Sequence, residues 1–129
     1  MNIGQLATAS DVNAKLIRHY ESIGLIPKAD RTESGYRVYS EKDVAFLRFI
    51  KRARSLGFSM IEIKKLMGLW RNKTRESKEV KTLALEHIRG LEKKIQEMQD
   101  MVDTLRSLSR NCHGDHRPDC PIIKNLAEE

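Results

Sequence analysis

Two thiols are the side chains best able to do chemistry in this 129-residue chain. Cys112 and Cys120 are its only cysteines and are separated by seven residues, a spacing that lets a loop bend both sulfurs onto one ion. Thiolates are soft donors that favour soft cations, and Cu(I) and its heavier congeners accept two ligands in a line. Structural zinc needs four ligands, commonly from closely spaced Cys or His pairs. His113 and His116 could complete a Cys2His2 set, so zinc stays open. An iron–sulfur cluster usually takes four thiolates, more than the chain has. A disulfide, a pair of inert thiols and a redox switch are the competing readings, and a lone Cys pair does not choose among them.

The start of the chain, MNIGQLATAS, lacks a basic region followed by a long apolar run, and no later segment approaches a membrane span. A cytoplasmic location is expected, with no membrane partner, and there a disulfide is disfavoured. The 24 Lys and Arg outnumber the 18 Asp and Glu, and the excess is uneven. Residues 1–70 hold 12 basic and 7 acidic side chains, whereas residues 111–129 hold 2 and 4. A basic front half suits an anionic partner, nucleic acid or acidic membrane, although a solvated charged surface has the same composition. With 40% apolar and 5% aromatic residues the core supply is thin, which favours an elongated helical protein that completes its core in a dimer. No nucleophile–base constellation or phosphate loop appears, so no enzyme is expected.

The elements that must carry these groups can be read in order. Ile3 to Ala9 fits a short helix with Ile3, Leu6 and Ala7 on one face, followed by a turn through Ser10 and Asp11. Asn13 is placed to cap a second helix to about Ile23, closed by Gly24. Its apolar stripe is Ala14, Ile17 and Tyr20, which leaves Lys15, Arg18 and His19 on other faces. Two short helices about a tight turn fit a helix-turn-helix over roughly 4–23. Beyond Pro27, the stretch 31–39 carries Ser34-Gly35 between short segments, with Tyr36, Val38 and Tyr39 favouring strand, and reads as a β-hairpin. Its basic and aromatic content is what a wing reaching phosphates needs. Ser40 caps a helix to about Arg54 with Val44, Leu47 and Ile50 on one face, and Leu56-Gly57-Phe58 breaks it. Ser59-Met60-Ile61-Glu62 has capping-box form and opens a helix to about Trp70.

The polar stretch 71–77 reads as a linker closing a first domain, 1–70. A single long helix is expected over 78–110. Ile88, Leu91, Ile95, Met98, Val102 and Leu105 recur in steps of three and four, the pattern of a two-chain seam. The periodicity leaves parallel and antiparallel pairing equally open. Residues 111–129 then hold the loop with both cysteines and a short helix, 121–126, with Pro121 in its first turn.

Taken in order, these segments resemble the MerR family of regulators, and most closely copper-efflux regulators of the CueR type, over essentially the full length. The pieces that carry the resemblance are Ile17-Arg18-His19-Tyr20-Glu21, Gly24-Leu25, Arg31, Gly35-Tyr36-Arg37-Val38-Tyr39, Ala53 through Phe58, and the run from Cys112 to Ile123. The resemblance implies a mainly α fold with an N-terminal winged helix-turn-helix, an antiparallel coiled-coil homodimer and a metal-binding loop at the coiled-coil end. It further implies that Lys15, Arg18 and Tyr20 face DNA from the recognition helix, Arg31, Tyr36 and Arg37 from the wing, and Arg54 from a second wing region. Tyr20 also lies on the apolar side of its helix, so a core aromatic and a DNA contact are equally open for it.

Relatives that sense divalent ions are expected to place a cysteine where this chain has Ser77, contributed across the dimer. Two thiolates without a third favour Cu(I), Ag(I) or Au(I), one ion per subunit, over Zn(II) or Hg(II). A bis-thiolate around a monovalent ion carries net charge −1 and needs compensation when buried. The resemblance suggests Lys81 for that role, together with the N-terminus of the short helix at Pro121 as a second source of positive charge. Relatives often carry further Cys and His residues in a C-terminal tail; here the sequence ends at Glu129, so accessory metal handling by such a tail is not expected. By resemblance the dimer binds a promoter dyad and, with metal, distorts the DNA so that RNA polymerase can use it. A thiol-redox regulator and a cytosolic Cu(I) carrier are the rivals.

Overall fold

The fold follows from where the apolar stripes of four short helices can meet. The computed structural model describes residues 1–115 and 118–128, and the chain divides into two compact units, Met1–Leu83 and Ala84–Glu129. In the first unit, helix α1 (Ile3–Ser10) is opened by a capping box. There the Asn2 side chain accepts from Gln5 N–H and the Gln5 side chain accepts from Asn2 N–H, both at 2.8 Å. Asp11 ends α1 in the left-handed region, φ 56°, a conformation that Asp tolerates better than most residues. Asn13 caps α2 (Ala14–Ser22) by accepting from Leu16 N–H at 2.8 Å, and Gly24 follows it at φ 75°.

Helix α3 (Glu41–Ser55) begins where Ser40 N–H donates to the Asp43 carboxylate at 2.9 Å. Helix α4 (Met60–Arg71) begins with the expected Ser59–Glu62 box, whose bonds are 2.9 and 3.2 Å. Helix α1 packs on α2 and α3, and α3 on α4. Leu6, Ile17, Leu25, Ile26, Leu47, Ile50, Ile63 and Met67 are fully buried where they meet. Trp70 seals one edge, stacked on Phe49 with ring centroids 4.8 Å apart and edge-on to Phe46 at 5.2 Å. Arg71 lies over Phe46 at 4.9 Å and donates to the Leu25 carbonyl at 3.0 Å, which ties the end of α4 to the loop after α2.

The hairpin is shorter than its composition suggests. Strands β1 (Asp30–Arg31) and β2 (Arg37–Val38) pair antiparallel through Asp30 with Val38 and Arg31 with Arg37. Tyr36 and Tyr39, both expected to favour strand, fall outside it. Tyr36 lies in the turn, where its N–H is held by the Thr32 hydroxyl, and Tyr39 leaves the ladder to enter the core.

Helix α5 (Ser77–Arg110) runs for 34 residues and buries none of them. Its first seven residues belong to the N-terminal unit, so the chain divides within the helix. In the second unit, Ile88, Ile95, Met98, Val102 and Leu105 are exposed and Leu91 is half-buried. Helix α6 (Pro121–Ala127) closes the described chain, one residue longer than expected. Among the described residues no helix is long and apolar enough to cross a membrane.

Leu47→Ala empties a fully buried site on α3 and is expected to cost about 2–5 kcal/mol. A urea titration followed by circular dichroism checks this; a change below about 1 kcal/mol is incompatible with Leu47 as the centre of a tightly packed core.

Candidate DNA interface and metal-binding loop

The basic side chains singled out in the sequence gather on the N-terminal unit. Burial of Ile17 and Tyr20 leaves Lys15 and Arg18 exposed on the other faces of α2. Across from them, Arg31 and Arg37 sit in register in the hairpin. Arg31 donates to the Gly35 carbonyl at 2.9 Å and braces the turn that presents Tyr36, which is 74% exposed. Arg18, Arg31 and Arg37 line one cleft of about 390 Å³ together with Lys28 and Glu21. Cations converging from a helix and a hairpin are suited to grip phosphates on either side of a groove.

Tyr20, expected either in the core or against DNA, is a core residue, only 3% exposed. Its hydroxyl accepts from exposed Arg54 at 3.0 Å, so the phenol orients a guanidinium. The turn between α1 and α2 is held from α3. Arg48 donates to the Ala9 carbonyl at 3.0 Å, and Lys51 bonds the Asp11 carbonyl and pairs with its carboxylate. Lys51, first through its hydrogen bond and then through its charge, lowers the Asp11 pKa.

Sequence reasoning missed Glu21, Lys28 and these α3 clamps. A signal for Glu21 was present: it lies four residues after fully buried Ile17, on the side of α2 that meets the core.

The second cluster is the cysteine loop. Helix α5 ends where Cys112 N–H donates to the Ser109 carbonyl at 3.1 Å. Gly114 then takes a positive φ of 65°, and Cys120 occupies the N-cap position of α6 without a side-chain capping bond, with Pro121 next. The two sulfurs lie 3.3 Å apart, both half-buried, with both cysteines free. The thiol of Cys120 is shifted below its ordinary pKa, chiefly by the Ile123 backbone N–H, then by the Cys112 side chain and less by the Ile122 N–H. Burial and the charge of Asp119 oppose that shift.

Among the described residues no group of three or more His, Cys, Asp or Glu side chains converges. His113 is exposed, and His116, the other residue of the possible Cys2His2 set, lies outside the described residues. Ser77 and Lys81 are exposed at the start of α5, in the N-terminal unit. The loop thus offers two soft donors meeting at one point, one of them favoured as thiolate, a donor set suited to a thiophilic metal ion.

A lowered folded-state pKa keeps Cys120 anionic, and so reactive, down to a lower pH than an ordinary thiol. In Cys112→Ser protein, alkylation of Cys120 by iodoacetamide, followed by mass spectrometry across pH 6–10, is expected to reach half-maximal rate below the midpoint for a cysteine in a short model peptide. Equal midpoints would rule out the backbone donors as the cause.

Comparison with known proteins agrees with this arrangement. Residues 1–69 match the model of the MerR helix-turn-helix family of regulatory proteins, and residues 44–108 match a second model described as MerR, DNA binding. The chain is 56% identical over 128 residues to the transcriptional regulator HmrR of Sinorhizobium medicae, covering 99% of this chain and 87% of that one. It is 39% identical over 127 residues to the regulator CueR of Salmonella typhimurium, covering 98% and 92%. The crystal structure of the regulator PbrR691 from Ralstonia metallidurans, in complex with lead(II), superposes with a TM-score of 0.87 at 31% identity, covering 98% of each chain. With its winged helix-turn-helix, long C-terminal helix and full-length relatives, the chain belongs to the MerR family of transcriptional regulators.

Proposed function

We propose that this protein is a cytoplasmic regulator that binds a promoter dyad as a homodimer. In this reading it activates transcription by RNA polymerase when Cys112 and Cys120 hold a monovalent soft ion, Cu(I) or its congeners Ag(I) and Au(I). Its targets would be genes of metal efflux or detoxification. The observation that carries the reading is the approach of the two sulfurs to 3.3 Å in a loop where, among the described residues, no third ligand converges. Ser77 supports it, because a serine hydroxyl supplies no third thiolate. A relative named as a heavy metal-dependent transcription regulator, and a lead-bound structural neighbour, support metal response in general. The choice of a monovalent ion rests on the donor set of this chain.

Cys112 and Cys120 would hold the ion, which would supply one positive charge and a soft acceptor for their thiolates. The protein's own groups do the rest. Backbone N–H groups of Ile122 and Ile123 stabilise negative charge on Cys120 at the start of α6, and Lys81 is assigned the further compensating charge that the family resemblance implies. The apolar stripe from Ile88 to Leu105 forms the dimer seam, since exposed side chains at this spacing have their natural cover in a second helix. Lys15, Arg18, Arg31, Tyr36, Arg37 and Arg54 take the phosphate and base contacts, with Tyr20 behind Arg54. An effector shifts such a regulator only through unequal affinity for its two DNA-bound conformations.

The same closeness of the sulfurs favours a second reading, in which oxidation of the thiol pair is the signal. Metal analysis of protein purified under reducing conditions, with a Cu(I) competition titration, separates the two. A Cu(I) carrier leaves the basic helix and hairpin without a role.

In vitro transcription with Cu(I), Ag(I), Au(I), Zn(II) and Hg(II) side by side is the direct test. Induction by the three monovalent ions is expected, and Cys112→Ser or Cys120→Ser should return it to the uninduced level with operator binding retained. Loss of operator binding by the metal-free double variant, or induction by Zn(II) alone, would overturn the reading. Val102→Asp places a charge in the seam and should shift sedimentation from dimer toward monomer; an unchanged dimer would put the interface elsewhere.

A further inference from the structure

Glu21 is the one carboxylate in a cleft lined by Arg18, Lys28, Arg31 and Arg37. In a surface built to meet phosphates, an acidic side chain lowers affinity through its charge alone. Its contacts suggest what offsets that. One carboxylate oxygen accepts the Ala29 N–H at 3.3 Å, and the other accepts the Tyr39 hydroxyl at 2.8 Å and faces the Arg37 guanidinium at 3.9 Å. Ala29 immediately precedes β1, Arg37 lies in β2 and Tyr39 follows β2. Each oxygen therefore holds one leg of the hairpin.

Met1 ties the Tyr39 leg through two backbone bonds of 2.8 Å, and Glu21 adds a hold from α2 that reaches both legs. The hairpin's strands pair through only two residues each, and an isolated two-stranded hairpin is marginally stable in water. Its tip carries the turn bond to Gly35 and exposed Tyr36, so its own ladder leaves its angle to α2 undetermined. The Tyr39 ring is buried. Burial and then the Glu21 hydrogen bond raise its phenol pKa, which keeps the hydroxyl donating.

We propose that Glu21 is a positioning residue for DNA recognition, a two-oxygen brace that fixes the hairpin against α2 so that Arg31 and Arg37 meet the duplex in register with Arg18. This rests on the DNA-binding reading above and deepens it. The brace and the charge predict opposite signs. Removing a negative charge from a basic surface strengthens binding to any duplex, whereas loosening the brace weakens binding to the operator specifically.

The test is Glu21→Gln in the full-length chain, with Tyr39→Phe as a second variant and the double variant to close a cycle. Operator and unrelated duplex affinities are measured at one salt concentration. The DNA-free protein is digested with trypsin to follow cleavage after Arg31 and Arg37. For Glu21→Gln, operator affinity should fall roughly ten-fold or more, with affinity for the unrelated duplex unchanged or higher. Cleavage in the hairpin should accelerate by a similar factor while the urea midpoint stays near that of the parent. Tyr39→Phe should reproduce part of the loss, and the double variant should be no worse than Glu21→Gln.

Operator and unrelated affinities rising together, with hairpin cleavage unchanged, would reduce Glu21 to a charge and overturn the proposal. A collapse of the urea midpoint in both single variants would equally overturn it, by making the contact part of the core. If the parent protein fails to distinguish the operator from unrelated DNA, it is the DNA-recognition reading that falls. Faster hairpin cleavage in that case would still support the brace, and unchanged cleavage would sink it.

Discussion

Burial of Ile17 and Tyr20 is the constraint on which the N-terminal unit turns. An α-helix of nine residues has room for one apolar stripe and little else, so seating these two side chains against α1 and α3 settles how α2 is rotated. Lys15 and Arg18 are then outside by geometry. The same seating directs the Tyr20 hydroxyl to Arg54 on α3 and sets Glu21 at the core edge, where both hairpin legs reach it. Arg48 and Lys51 reach back from α3 to the turn before α2. The helix carrying the exposed cations is thus fixed at its start, its middle and its end by different neighbours. A surface that reads a groove needs that rigidity, since small misplacements cost contacts that charge alone does not restore.

A different economy governs the long helix. The N-terminal unit encloses Leu, Ile, Val, Met and Tyr side chains, while α5 encloses none. Thirty-four residues of helix do not keep a solvent-exposed line of Ile, Met, Val and Leu without a cover, because each such side chain left in water forgoes about 1.5–3 kcal/mol. In the proposed dimer, one apolar stripe covers another. The loop with the cysteines follows α5 directly, so whatever fixes the end of that helix also fixes where the thiols are presented.

Much of this was legible in the sequence because it is local. Asn13, the Ser59–Glu62 box, Gly24 and Pro121 mark helix ends through contacts within four residues, and the structure places the ends there. The hairpin was legible as a turn from Ser34-Gly35. Its extent was not, because Tyr39 prefers the core to the ladder, a tertiary preference that strand propensity does not encode. The helix spacing could place Glu21 on the core side of α2 but not name its partners, which lie 8 to 18 residues away in and around the hairpin. The cysteine pair could be read as two sulfurs within reach of each other. The amides of α6 beside Cys120 were within the same local reach, because Ile122 and Ile123 lie two and three residues on and Pro121 marks the helix start.

Charge around that loop bears on how a metal signal would be formed. Residues 111–129 hold four acidic and two basic side chains, and Asp119, beside Cys120, works against its thiolate. The hydrogen bond joining the sulfurs at 3.3 Å needs a thiol proton on one of them as donor. Capture of a cation then has to release that proton, and affinity must rise with pH as it does for thiolate sites generally. A monovalent ion leaves one net negative charge on the pair, close to what the backbone amides of Ile122 and Ile123 are placed to stabilise. A divalent ion on the same two sulfurs would remove the charge those amides answer and would still lack its remaining ligands. In the proposed reading, preference among metals therefore comes from the number of sulfurs and the dipoles behind them, and it needs no cavity shaped to one ionic radius.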